Sequence, residues 1–507
     1  MRTNNRGLPP RLRRQPARRA ATMTTATRMR SALAVAAMTV ALSACEGDTG
    51  VGAGRLQLCG IGEGPRGAYC GTLTVFEDRA GQSGRTIDLK IVVASALRRD
   101  PAPDPLFVLV GGPSGGAATQ AVSLAPMFRP YQTDRDIVFV DQRGTGASNP
   151  LDCEPPERTL AAMVEYPVER LKRCLEDLDA DPRFYTTAPA MDDIDEVRRY
   201  LGYDLINLWG SSYGTRAALV YLARHETTVR SLVLDSAAPI DTPFLLHTPR
   251  DSQRALDRLI ADCAAEIACA RRFTDLGATV SAVLDQAAKT PTIRMIHPRT
   301  GAPVEATISR ELIASTIFYL LYAPTTASLL PQLLSDAERG DFQRLLSLRL
   351  LDGPPAPGTG EGAFLSVYCS EDAPRFTRED AAREASGTFL GTAALDTFFK
   401  PCAFWPKGTV EPDFYAAPDS TKPVLVLSGD LDPVLPPVRG EQVASSLPSA
   451  RHVVVPGAGH MTSLAGCVPR LIGEFLATAD AAALDTSCLE RMGRPPFVTS
   501  RTGGLNP

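Results

Sequence analysis

Aromatic residues make up only 6% of this 507-residue chain, which has two tryptophans and five histidines. None of its 11 cysteines falls in a C-x-x-C pair, and with histidine this scarce the usual structural zinc sites are excluded. No metal or cofactor is therefore expected. Long hydrophobic runs are also missing: the apolar run at residues 32–41 is well short of the ~20 residues that a bilayer span needs. Acidic residues are absent from residues 1–30, which hold nine arginines. Setting those nine aside leaves 44 basic side chains against 57 acidic ones, which argues against a nucleic-acid partner. What is present is a globular composition. With 44% hydrophobic and 22% charged residues, the chain is neither disordered nor fibrous, and its length suits about two to three domains.

The start of the chain reads as an address. An Arg-rich stretch precedes the short apolar run, and Leu42-Ser43-Ala44-Cys45 follows. Positive region, short apolar region and small residues make a secretory signal. A cysteine at the cleavage point resembles a bacterial lipobox. Residues 1–44 are thus expected to be a lipoprotein signal peptide, with Cys45 lipidated and anchoring the mature chain to a membrane of the cell envelope. Simple secretion or periplasmic release is the alternative. The stretch before Met23 or Met29 is long for a signal, so either methionine is a candidate start. Export implies an oxidising compartment, and ten cysteines remain once Cys45 is set aside. Pairing neighbours along the chain gives Cys59–Cys70, Cys153–Cys174, Cys263–Cys269, Cys369–Cys402 and Cys467–Cys488. Cys263 and Cys269 lie in a helical stretch, so their pairing predicts a break between them.

Runs rich in Val, Ile and Leu occur at residues 71–76, 86–95, 106–110, 137–140, 205–208, 229–234, 424–428 and 452–455. Several are continuously apolar, as strands buried on both faces of a parallel sheet are. Helical patterns alternate with them at 168–179, 192–201, 213–225, 440–447 and 468–478, which predicts an α/β fold with a mostly parallel sheet flanked by helices. The alternation stops between about 241 and 422, where the pattern is mainly helical (252–270, 310–322, 325–339, 378–388). The expected organisation is an N-terminal linker at 45–69, core at 70–241, a helical cap insertion at 242–422, returning core at 423–490 and an irregular tail at 491–507. The cap leaves at a strand's C-terminal end, the edge where ligands bind in open α/β sheets, and returns just before the strand that carries the acid, and so reads as a lid.

Gly210-Ser211-Ser212-Tyr213-Gly214 joins a predicted strand to a predicted helix, the context that a G-x-S-x-G nucleophile elbow requires. Gly112-Pro113-Ser114-Gly115-Gly116 matches the same pattern. Pro113 removes a backbone donor there and the loop comes early, so Ser212 is the expected nucleophile and this loop the oxyanion loop. Gly111, Gly112 and Tyr213 are the candidate N–H donors. A serine nucleophile needs a base and an orienting acid, in the chain order Ser, acid, His. Asp430 and Asp432 follow the strand at 424–428, and His460 lies in the Gly-rich loop after the last strand. His452 begins a strand and fits packing instead.

These residues resemble the exported prolyl and tripeptidyl aminopeptidases, serine exopeptidases of the α/β-hydrolase family. The likeness is carried by Gly111-Gly112-Pro113, by the turn from Asp141 to Ser148, by the elbow at Ser212, by Gly429-Asp430-Leu431-Asp432-Pro433 and by Gly459-His460. It extends to Cys369, Cys402, Cys467, Cys488 and Pro495-Pro496-Phe497, and spans roughly residue 70 to the end. Val110 and Ser114 depart from the family pattern in the oxyanion loop. The resemblance implies Asp432 as the triad acid, the 141–148 turn as a buttress of the active-site loops and Arg143 in a buried ion pair. It also implies a small peptide substrate cleaved from a free N-terminus through an acyl-enzyme. An acid from the cap would then meet the substrate amine, and Glu371 and Asp372 are the candidates. An esterase or lipase-like hydrolase is the enzymatic alternative, and a non-catalytic surface lipoprotein that binds a partner through the cap is the rival from another class.

Overall fold

Each predicted apolar run becomes a strand in the computed structural model, which describes residues 55–153, 160, 167–289, 291–351 and 360–500. The strands are β1 (Gln57–Leu58), β2 (Tyr69–Asp78), β3 (Ser83–Ala94), β4 (Leu106–Leu109), β5 (Ile137–Val140), β6 (Ile206–Ser211), β7 (Val229–Asp235), β8 (Thr292–Ile296), β9 (Pro303–Thr307), β10 (Val424–Gly429) and β11 (Ala450–Val455). Nine of them form one sheet in the order β1-β2-β3-β5-β4-β6-β7-β10-β11. The pairings from β1 to β5 through β3 are antiparallel, and the remainder, from β5 to β11, are parallel. Every residue of β4, β5, β6 and β10 is buried, which is why these strands read as continuous apolar runs.

Alternate residues feed two cores. Phe107, Leu109, Val424 and Val426 pack on one face against α3 (Thr187–Leu201) and α4 (Tyr213–His225). Leu106, Val108, Leu425 and Leu427 pack on the other face against α1 (Ala121–Gln132) and the helix Val468–Thr478. Helix α1 was not anticipated. It contains Pro126 and Pro130, residues that argue against a helix interior, and it is held by burial of Ala121, Phe128 and Tyr131.

The chain leaves the sheet after β7 and re-enters at β10. The excursion builds its own apolar core from α5 (Thr248–Ala265) and the helices that follow. It is mainly helical as expected, with one correction: β8 and β9 form a separate antiparallel hairpin within it. A second small core joins residues 365–405 to Leu171 and Cys174 of α2 (Val168–Asp177), so part of the segment assigned to the core packs with the cap. All five neighbour disulfides are present. The expected break in the Cys263–Cys269 loop falls at Glu266, whose extended backbone (φ −83°, ψ 117°) separates α5 from the helix Ile267–Arg272. Beyond the core, Phe497 is buried in the cap, Val498 N–H bonds the carbonyl of Ser328 at 3.1 Å, and Arg494 pairs with Asp262 at 2.8 Å. The signal segment and Cys45 lie outside the described residues.

Candidate active site

The turn from β6 into α4 is too tight for any side chain at its flanks. A Cβ on Gly210 would stand 2.4 Å from the carbonyl oxygen of Gly214, and one on Gly214 would stand 2.0 Å from that of Leu109. Ser212 itself sits at φ 53°, ψ −124°, a region non-glycine residues avoid. This strain lifts its hydroxyl to the N-terminus of α4, where unpaired N–H groups and the helix dipole favour negative charge. Tyr213 opens that helix. Gly111 faces it so closely that a Cβ there would meet Ser212 Cβ at 2.9 Å, and Gly112 has φ 130°. Ser114 lies across the same cavity but off the elbow.

The loop carrying Gly111 and Gly112 is braced from below. The Asp141 carboxylate accepts from Thr119 N–H (2.9 Å), Thr119 Oγ1 (2.6 Å) and Ala147 N–H (2.8 Å). Arg143 is buried against Asp193 at 2.7 Å and also donates to the carbonyls of Phe76, Glu77 and Phe184. The 141–148 turn is thus the expected buttress, and Arg143 is in the expected pair.

His460 Nδ1 lies 2.9 Å from Asp432 Oδ2. Asp432 Oδ1 accepts from the N–H groups of Val434 (2.8 Å) and Leu435 (2.9 Å). Burial alone would raise the Asp432 pKa; the His460 partner and the two amides outweigh it and hold the carboxyl below its usual range. Burial likewise opposes charge on His460, but Asp432 outweighs it and the imidazole pKa stands above the ordinary 6.5. Asp430 takes another role, accepting from Gly457 N–H at 2.7 Å, which leaves Asp432 as the acid on the imidazole. With Nδ1 on Asp432, Nε2 is on the far side of the ring, and His460 and Ser212 line one cavity of about 800 Å³.

Two contacts that set His460 were not read from the sequence. The cap residue Tyr322 accepts from His460 N–H through its carbonyl (2.9 Å) and packs its ring edge-on to the imidazole at 5.2 Å. Asp235, at the end of β7 and fully buried, accepts from both N–H and hydroxyl of Thr462 and of Ser463, just past the histidine. Its signal was an acid closing an apolar strand.

The cap forms much of the cavity wall, contributing Phe244, Phe318, Tyr322, Phe364 and Phe398. Glu371 and Asp372 are not on that wall, which corrects their assignment as amine-binding residues. Both are buried behind the elbow. Asp372 is held by Arg216 Nη1 at 2.8 Å and by Phe244 N–H at 2.7 Å, and Glu371 by Thr187. Their partners lie 156 and 184 residues away in the chain, beyond any local pattern.

A serine at a strained elbow beside an imidazole–carboxylate pair, all at the strand ends of a mostly parallel sheet, defines the class: an α/β hydrolase. Residues 104–263 match the family model described as the alpha/beta hydrolase fold, and residues 387–488 match the one described as TAP-like protein. The serine protease Hip1 of Mycobacterium tuberculosis is 28% identical over 433 residues, which cover 76% of this chain and 80% of that protein. A tripeptidyl aminopeptidase of Streptomyces coelicolor is 23% identical over 457 residues, covering 84% and 83%. A probable proline iminopeptidase of the same species is 31% identical over 139 residues, covering 27% and 34%. The chain belongs to the TAP-like α/β-hydrolase family and is a serine hydrolase.

Proposed function

We propose that the protein releases short peptides or single residues from the free N-terminus of small peptides. Ser212 attacks the scissile carbonyl, and His460 takes its proton and passes it to the leaving amine. Asp432 holds the imidazole tautomer, and the N–H groups of Tyr213 and of Gly111 or Gly112 receive the oxyanion. Water then resolves the acyl-enzyme. The observation that carries this reading is that Ser212 and the His460–Asp432 pair open onto one cavity whose roof is the cap. A roof over the nucleophile favours a chain end over an internal bond. The relatives named as a tripeptidyl aminopeptidase and a serine protease support a peptide substrate.

The test compares one tripeptidyl amide with and without an N-acetyl cap. The free amine is expected to be favoured by about tenfold or more in kcat/KM, the scale of one recognised polar group. Equal values would remove the exopeptidase reading. The strongly apolar cavity wall favours ester hydrolysis as the second reading, and p-nitrophenyl esters belong in the same panel.

The lipobox-like Leu42-Ser43-Ala44-Cys45 supports a membrane anchor in the cell envelope. Cys45→Ser is expected to move the protein from the membrane fraction to the soluble one, because the acyl chains supply the membrane affinity. Unchanged partitioning would refute the anchor.

A further inference from the structure

Residues Tyr368–Asp372 form a five-residue π-turn in the cap, tied down by the Cys369–Cys402 disulfide. Such turns interrupt helices at functional sites more often than elsewhere. This one lays two adjacent carboxylates against the first turn of α4. Asp372 neutralises Arg216. Glu371, 0% exposed, does something different. Its Oε1 accepts from Thr187 N–H at 2.7 Å and its Oε2 from Thr187 Oγ1 at 2.8 Å. Thr187 Oγ1 in turn lies 2.7 Å from the hydroxyl of Tyr213.

An ionised carboxylate only accepts, and a threonine hydroxyl has a single proton. The order of donation is therefore fixed as Tyr213 to Thr187 to Glu371. We propose that Glu371 is a positioning residue: acting through Thr187 and Tyr213, it fixes the first turn of α4 so that the Tyr213 N–H points at the oxyanion. The proposal rests on the reading of Ser212 as the nucleophile.

The groups facing Glu371 make this anchor sensitive to pH. From α4 come Tyr213 and Arg216, and Arg216 is already occupied by Asp372, the next residue on the turn. From the segment before β10 comes Tyr415, whose hydroxyl donates to the Glu371 carbonyl at 2.7 Å, with Arg375 over its ring. Thr187 faces it from α3. Burial, only partly offset by Arg216 and by the Thr187 donors, pushes the Glu371 pKa up to about 7. When Glu371 takes a proton, three hydroxyl protons share two contacts. Glu371 then donates to Thr187 and Thr187 to Tyr213, so the chain is reversed and the buried Tyr213 O–H loses its acceptor. The anchor is intact above that pKa and weakened below it.

The test is the acid limb of kcat/KM for the full-length enzyme on a tripeptidyl amide. In the wild type His460 must lose a proton for any turnover, whereas a protonated Glu371 only weakens the oxyanion donor. Log kcat/KM is therefore expected to fall with a limiting slope of about one from His460, plus a separate step of about tenfold as Glu371 takes its proton. Glu371→Gln, which fixes the reversed donor pattern at every pH, should lack that step and follow a single ionisation. Its kcat on the alkaline plateau should fall about tenfold, less than the loss of a whole oxyanion donor costs. Tyr213→Phe cuts the relay while keeping Glu371 ionisable. It should also lack the step, and it serves if Glu371→Gln does not fold. A wild-type profile that follows a single ionisation, or a step of about tenfold retained in either variant, would overturn the proposal. Full turnover by Ser212→Ala would instead sink the nucleophile assignment.

Discussion

Ser212→Ala is expected to lower kcat by about 10⁴-fold or more while leaving the urea unfolding midpoint near that of the wild type. The effect is large because no neighbouring hydroxyl can take over. Ser211 is 2% exposed as the last residue of β6, and Ser114 lies on the loop opposite the elbow. Alanine fits the position, though its φ of 53° remains strained, so only the nucleophile is lost. Residual turnover would report what the oxyanion loop and the cavity achieve alone. A fluorophosphonate probe provides the complementary measurement, since it should label Ser212 and no other serine. Label recovered on Ser114 would reassign the nucleophile.

The second large effect falls on stability. Asp372→Ala is expected to cost about 3–5 kcal/mol, because it leaves the Arg216 guanidinium buried without its carboxylate. Arg216 is 1% exposed, and beyond Asp372 its guanidinium donates to the Thr242 carbonyl at 2.8 Å, a neutral acceptor. The double variant Asp372→Leu, Arg216→Met should recover much of the loss, since removing both charges leaves no buried ion unpaired and frees only the Phe244 N–H and the Thr242 carbonyl. Urea midpoints of the wild type and the two variants decide it. A single variant as stable as the wild type would show that water or another acid reaches Arg216.

The features legible in the sequence were those whose cause is local. Apolar runs marked the strands because β4 to β7 and β10 are covered on both sides. Gly210 and Gly214 marked the elbow because any Cβ there collides with backbone. His460 was reachable because it follows a strand in the required order; the same order narrowed the acid to Asp430 or Asp432, and the family resemblance chose Asp432. Features made by distant partners were not legible. Glu371 and Asp372 look like two solvent-facing charges until Thr187 and Arg216 are brought to them. Helix α1 carries two prolines, and its stability comes from Phe128 and Tyr131 packing below the sheet rather than from propensity. The β8–β9 hairpin buries only Met295 and Ala306, too thin an alternation to stand out among helices.

The C-terminal segment changes what kind of moving part the cap can be. A lid joined to its base by two adjacent strands has a hinge and one free edge. Here the free edge is sewn down: Phe497 sits inside the cap, while the nearby Cys467–Cys488 bridge fastens the same end of the chain to the base. Fixing the far side removes the swinging degree of freedom and leaves small motions of the aromatic side chains that line the entrance. For the proposed peptide substrate this predicts threading rather than engulfment, with an upper limit on girth as well as length. Cutting the seam between the bridge and Phe497 would restore the hinge and admit bulkier chains.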